Sequence, residues 1–494
     1  MYFRKTTPEE AGISSKTVLS FLKTLDSCGF STHSILMARG DKLFTEVYYA
    51  PFHKDFKHRM YSVSKTFVSM AIGMAIDDGL LSLDDKFISF FPAFEEKADE
   101  WMREATICDL LRMETSMQRG IDWFYSGTDD RTEVYFGKGS DKIPGTIFDY
   151  DSPASQMLCV IVEELTGKPF LEYMKEKCLC DIGFSEDTYC LQVPGGHSFG
   201  DSGVMCSARD LLHFARLVLN GGSWNGKQYI DREYVAEAVK KQVCNDLGGF
   251  TSFDHYGYGY LIWKTPRDGF GFFGMGDQFA ICDPTTDFIF VINSDNQGNP
   301  TSRPILFHEL YKTLVQSLSD PLEKDDEAYE ALEQYCASRK LYALPDEGEH
   351  ALMGKIDGVT YELAENRMDI EWIRFSFEGK KGILSYRNRQ GEKALTFGIG
   401  YNEFGKFPEE GYSDLIASKS ASGHYYDVAC SADIPEEEKL RIKVQVIDKY
   451  FGTACFVFSF KDDRVTVNMT KTAEAFLNEY RGLANGKRRD DDEK

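Results

Sequence analysis

The sequence predicts a mixed α/β (α+β) chain in two parts, an antiparallel sheet flanked by helices followed by a mostly β domain. Three observations predict it. Aromatic and β-branched runs broken by Gly, Pro and Asp occur near 34–50 and 257–296; strongly apolar helical stretches lie between them; and strand-like segments recur from about residue 350.

Residues 34–50, SILMARGDKLFTEVYYA, read as two strands around a Gly-Asp turn. Residues 62–79, SVSKTFVSMAIGMAIDDG, read as a helix that is apolar almost all round, the mark of a helix buried in a large core. Polar and aromatic loops fill 115–150. A second apolar helix covers 152–166 and stops at Gly167, and an amphipathic helix covers 207–220 with a Ser cap and a Gly-Gly stop. The runs GYGYLIW, FGFFGMG, QFAICDP and DFIFVINSD give the remaining strands of the first sheet, and a helix at 303–318 closes that unit. An acidic helical connector follows, then strand-like segments from DIEWIRFSFE to DRVTVNM, one more helix at 472–481 and a charged tail. The expected domains are 1–320, a connector at 321–350, and a β-rich unit at 351–494.

Composition narrows the function. The 494 residues hold 56 Lys+Arg against 79 Asp+Glu, a net charge of −23, which argues against binding a nucleic-acid backbone. No uncharged apolar run approaches the roughly 20 residues that span a bilayer, and MYFRKTTPEEAGISSKTV lacks the apolar core of a signal peptide. The expectation is a cytoplasmic protein without a membrane partner, whose twelve scattered cysteines remain thiols. Cys178 and Cys180 are the one close pair, with no second pair and no nearby His at zinc spacing.

Ser62-Val63-Ser64-Lys65 carries the chemistry. Ser and Lys three apart share a helix face, so the amine can sit beside the hydroxyl. A lysine desolvated in an apolar wall becomes a better proton acceptor, and the helix start offers backbone N–H groups to a developing oxyanion. A second copy, Ser20-Phe21-Leu22-Lys23, lies in an ordinary amphipathic helix where a solvated pair suffices. Lys65, at the buried end of an apolar helix, needs a reason to be there.

With these residues, RMYSVSKTFVSMAIGMAIDDGLLSLDDKFISFFP resembles the first motif region of the penicillin-recognising serine hydrolases, the superfamily of class C β-lactamases, D-alanyl-D-alanine peptidases, family VIII esterases and 6-aminohexanoate-dimer hydrolases. The similarity runs on through TICDLLRMETSM, FDYDSPASQMLCVIVEELTGKPFLEYM and SARDLLHFARLVLNGGSWNGKQYI, covering residues 8–318. It implies a β-lactamase/transpeptidase-like fold, Ser62 as nucleophile and Lys65 as base or base-positioning cation. Tyr150, in Tyr150-Asp151-Ser152, matches the family's Tyr-x-Asn and would shuttle a proton. Ser152 replaces the Asn and is either a substrate contact or a helix cap.

The third motif falls at Phe273-Gly274-Met275-Gly276. The resemblance makes the Met275 N–H the partner of the Ser62 N–H in the oxyanion site, with Phe273, Gly274 and Gly276 beside the substrate. Phe273 stands where the family's carboxylate-receiving Lys or His would be, which favours the esterase and amidase branch over β-lactam turnover. A Gly-rich strand chosen for close packing would read the same way.

Gly200-Asp201-Ser202-Gly203 matches the nucleophile loop of trypsin-like proteases in four letters, but Val204 follows and no Ala-Ala-His-Cys segment precedes it. His197 and Asp201 are either substrate contacts or parts of a structural turn. His308-Glu309 lacks the second His of a zincin helix, no Gly-x-Ser-x-Gly elbow occurs, and Gly137-Lys138-Gly139 follows no clear strand and lacks a third Gly, so no metal and no cofactor is expected. The expected reaction is hydrolysis of an ester or amide of a small neutral or amine-bearing substrate through an acyl-enzyme on Ser62. The alternatives are an acyltransferase of the same fold and a non-catalytic binding protein that keeps it. Oligomeric state has no signal in the sequence.

Overall fold

The computed structural model describes residues 3–118, 130–246, 255–346, 348, 351–410, 424–473 and 476–489. The chain divides into two compact units after Lys340. Among the described residues no helix is long and apolar enough to cross a membrane.

The first unit is built on a seven-stranded sheet. Its strands are β1 (Arg4–Lys5), β2 (Thr32–Arg39), β3 (Lys42–Tyr48), β4 (Trp263–Lys264), β5 (Phe270–Gly274), β6 (Gln278–Asp283) and β7 (Phe288–Ser294), in the order β1-β3-β2-β7-β6-β5-β4. Only the β1–β3 pair is parallel. Every residue of β6 and β7 is buried, which explains why QFAICD and FIFVINS read as continuous apolar runs instead of alternating: both faces of the sheet are covered.

Helices α1 (Ser15–Ser27) and α5 (Ser302–Glu309) cover one face, where Phe21 meets Phe290 edge-on and Phe307 meets Phe279. On the other face lies α4 (Ala208–Leu219), with Phe214 against Phe272. Behind α4 sits α2 (Ser64–Asp77), whose Phe67 stacks on Phe214 at 3.8 Å. Next to α2 is α3 (Ser152–Thr166), stopped by Gly167 at φ +66. Contact on several sides is the physical reason α2 is apolar almost all round.

The acidic segment expected as a helical connector contains α6 (Asp326–Ala337), which packs on α1 within the first unit. Lys16 pairs with Asp325 at 2.9 Å, Arg339 with Asp26 at 2.8 Å, and Leu332 is buried.

The second unit is a barrel of β8 (Thr360–Leu363), β9 (Trp372–Glu378), β10 (Lys381–Asn388), β11 (Gly391–Ile399), β12 (Glu403–Glu410), β13 (Tyr425–Glu436), β14 (Lys439–Ile447), β15 (Phe451–Lys461), β16 (Arg464–Thr472) and β17 (Gly482–Arg488). Neighbours pair in the order β11-β10-β9-β8-β17-β16-β15-β14-β13-β12, and a parallel β11–β13 pairing at Gly398↔Ser431 closes nine of them, with β12 outside the ring. Phe375 and Tyr386 lie in its core, whereas Tyr401 is exposed. The helix expected at 472–481 is absent from the described residues there: Thr472 ends β16, and Leu477 and Tyr480 are buried in turns beside the core.

Candidate active site

Ser62 sits in a single 3-10 turn, Tyr61–Val63, between a short strand, His58–Arg59, and the first residue of α2. The strand pairs with Val204–Cys206, which fixes where the turn begins. Tyr61 is held at φ +48, a left-handed conformation unusual for a bulky residue, and is buried. Strain of this kind costs on the order of 1–3 kcal/mol and persists only where the surroundings impose it. Arg59 helps to impose it, with its guanidinium 4.2 Å from the centre of the Tyr61 ring.

Lys65 is 2% exposed, and its Nζ lies 2.9 Å from Ser62 Oγ and 2.8 Å from the Asp201 carbonyl. The loop carrying Asp201 is locked by neighbours of the same motif. The Val204 N–H donates to Ser64 Oγ at 3.0 Å, while Arg59 donates through Nε to the Ser202 carbonyl and through Nη2 to Ser202 Oγ, each at 3.0 Å. The serine of Gly-Asp-Ser-Gly is thus an acceptor for a buried arginine. Asp201 is 2% exposed and gives Lys65 its backbone oxygen.

Tyr150 precedes α3. The cap of that helix is Asp151, whose carboxylate accepts from the Ala154 N–H at 3.1 Å and from Thr115 Oγ1 at 2.7 Å; burial pushes this carboxyl above its ordinary pKa. Ser152, the alternative cap, is instead the first helical residue, and its carbonyl accepts from Ser155 Oγ. Lys65 Nζ lies 5.2 Å from the centre of the Tyr150 ring. That ring stacks on Trp263 at 5.5 Å, and Trp263 stacks in turn on Phe273 at 5.7 Å and 9°. Phe273 is therefore part of a packed aromatic wall, 5% exposed.

Strand β5 brings the third motif beside the serine turn. A Cβ on Gly274 would lie 2.4 Å from the Met60 carbonyl, so only glycine allows this approach. The turn beyond, through Met275 and Gly276 at φ +78, is pinned from below by Gln278. Its Nε2 donates to the Met275 carbonyl at 2.9 Å, while Ser294 Oγ donates to the Gly276 carbonyl at 2.7 Å. With both carbonyls tied, the peptide planes of this turn are fixed.

His197 stands apart from Ser62 and Lys65 in its contacts. Its Nδ1 meets Glu163 on α3 at 2.9 Å, which holds the imidazole pKa above its usual value, and the same hydrogen bond lowers that of Glu163 against the opposing effect of burial. The structure therefore gathers Ser62, Lys65, Tyr150 and the Asp201 carbonyl. Arg59 and Trp263 join them, two residues to which the sequence motifs assign no role. Only the buried cation two residues before the Tyr-Ser step could have pointed to Arg59.

The family model described as Beta-lactamase matches residues 23–313. The 6-aminohexanoate-dimer hydrolase of Paenarthrobacter ureafaciens is 24% identical over 315 residues, 59% of this chain and 79% of that protein. Among solved structures, a Bacillus anthracis protein assigned as a 6-aminohexanoate-dimer hydrolase superposes with a TM-score of 0.55 at 19% identity, covering 66% of this chain and 89% of its own. A penicillin-binding protein homologue from Caulobacter crescentus gives 0.50 at 14% identity over 61% and 97%. These likenesses share the architecture of the first unit, and the sequence model spans the serine turn, α2, α3 and the β5–β6 turn: the chain belongs to the beta-lactamase family, within the penicillin-recognising serine hydrolases.

Proposed function

We propose that this serine hydrolase cleaves an ester or amide bond of a small molecule through an acyl-enzyme on Ser62. The observation that carries the reading is the buried Lys65 amine set between Ser62 Oγ and the Asp201 carbonyl. A neutral amine in that place donates to the carbonyl and accepts the Ser62 proton as Oγ attacks the substrate carbonyl; an ammonium donates to both, and the base is then Tyr150. In either case the proton passes to the leaving oxygen or nitrogen. The N–H groups of Ser62 and Met275 receive the oxyanion, and water attacks the acyl carbon to release the acid and restore the Ser62 hydroxyl.

Phe273, where the family's carboxylate-receiving Lys or His would stand, brings no charge of its own, which supports neutral or amine-bearing substrates over strongly anionic ones. The 6-aminohexanoate-dimer hydrolase relative points the same way, toward an amide. Ser62→Ala and Lys65→Ala are expected to abolish turnover of p-nitrophenyl acetate while circular dichroism stays native. Full turnover by folded Ser62→Ala would sink the assignment. Product analysis with and without an added amine separates hydrolysis from acyl transfer.

A further inference from the structure

Tyr150 stands in a loop whose backbone is pinned on both sides of it. The Asp149 N–H donates to the Met113 carbonyl at 2.9 Å, and the Asp151 carboxylate accepts from the Ala154 N–H at 3.1 Å. A fixed backbone does not fix the phenol, which lies beyond two rotatable side-chain bonds. The ring needs a wall of its own, and Trp263 is placed to be one. The two rings lie 5.5 Å apart and 26° from parallel, inside the roughly 4.5–7 Å over which aromatic rings attract.

Trp263 is set in turn by the sheet. Strand β4 pairs Trp263 with Gly271 of β5, which makes Phe273 its diagonal neighbour, within reach of an aromatic side chain. A Cβ on Gly271 would lie 2.5 Å from the Phe273 ring, so this glycine leaves the space across which Phe273 leans onto the indole, 5.7 Å away and 9° from parallel. Tyr258 meets the indole edge-on at 5.0 Å and 83°. Phe273, which the resemblance sets beside the substrate, thus backs the indole from the strand of the third motif. Trp263 is only 7% exposed, so nearly all of its surface faces protein.

We propose that Trp263 is a positioning residue for the reaction, acting through Tyr150: it holds the Tyr150 ring beside Lys65, whose Nζ lies 5.2 Å from the ring centre, and takes its own place from Phe273. The proposal rests on the serine-hydrolase reading with Tyr150 as a proton-transfer group. It adds the means by which the sheet sets that group in register with the serine turn, where a misplacement of about 1 Å can cost about 10²-fold.

The test is a double-mutant cycle read on p-nitrophenyl acetate and p-nitrophenyl butyrate. Trp263→Leu is expected to lower kcat by about 10- to 100-fold, by the same factor on both esters and with KM changed less than about twofold. Trp263→Phe, which keeps a ring in the stack, is expected to recover most of that loss. In a Tyr150→Phe background, itself about 10²–10⁴-fold slower than wild type, Trp263→Leu is expected to cost less than about twofold more. A role confined to stability would multiply the losses in both backgrounds, and a direct substrate contact would raise KM by factors that differ between the two esters; either result would overturn the proposal. Should circular dichroism show Trp263→Leu unfolded, the same cycle with Phe273→Leu decides, with a smaller loss that also vanishes in Tyr150→Phe. Tyr150→Phe at the full wild-type rate would overturn the proposal by removing Tyr150 from the reaction, whereas full turnover by folded Ser62→Ala would remove the hydrolase reading beneath it.

Discussion

The chain contains the same four-residue spacing twice, and the two copies have opposite surroundings. Ser20 and Lys23 lie on the exposed side of α1; Ser20 gives its carbonyl to Thr24, and Lys23 reaches over the Tyr335 ring at 5.6 Å. Ser62 and Lys65 lie in and after a strained turn, with the lysine 2% exposed and tied to a backbone carbonyl from a distant loop. Spacing puts a hydroxyl and an amine on one helix face in both. What separates them is the wall around the second pair, which buries the amine between the serine oxygen and one carbonyl, 5.2 Å from the centre of the Tyr150 ring.

The largest effect expected of that difference is catalytic. Ser62→Ala should cost on the order of 10³-fold or more in ester turnover, and Ser20→Ala nothing measurable. Lys65→Met should cost about 10²–10⁴-fold and, by removing a buried hydrogen bond to the Asp201 carbonyl, about 1 kcal/mol of stability. Lys23→Met should change neither. Urea unfolding and initial rates on the four proteins read both quantities.

Acid should find the buried copy as well. His58 leads into the serine turn, and burial lowers its pKa to about 3, with its Nδ1–H given to the Arg59 carbonyl and its Nε2 facing His33 Nδ1 at 2.8 Å. The unfolded chain takes up this proton near pH 6.5 and the folded one only near pH 3, so the stability it supports is present above about 6.5 and is lost as pH falls from there toward 3. His58→Gln should flatten that part of the melting-temperature profile. A smaller effect belongs to the Asp151 cap: Asp151→Ala should cost about 1 kcal/mol and loosen the helix start that carries Tyr150.

Much of this frame was legible in the residues. Helix 152–166 reads correctly at both ends, because Gly167 at φ +66 stops it and a side-chain cap starts it, although the cap is Asp151 and not Ser152. Strand Lys381–Asn388 and the hairpin of β2 and β3 follow from alternation and a Gly-Asp turn. Strand β17, GLANGKR, has no β-branched residue to announce it and is made by its two neighbours. The described residues 476–480 of the helix expected at 472–481 are not helical; Leu477 and Tyr480 are buried against the barrel core, and tertiary burial outweighs local propensity. In the site, Ser62, Lys65 and Tyr150 carry side-chain signals; the Asp201 contact is made by a carbonyl, which every residue type possesses, so no letter in the sequence could reveal it.

The most direct test is covalent. A serine-reactive fluorophosphonate should label the folded protein at one position, located by peptide mass spectrometry at Ser62, with labelling lost in Lys65→Met and retained in Lys23→Met. Labelling at Ser20 or Ser202, or none in a protein that turns over p-nitrophenyl acetate, would contradict the account.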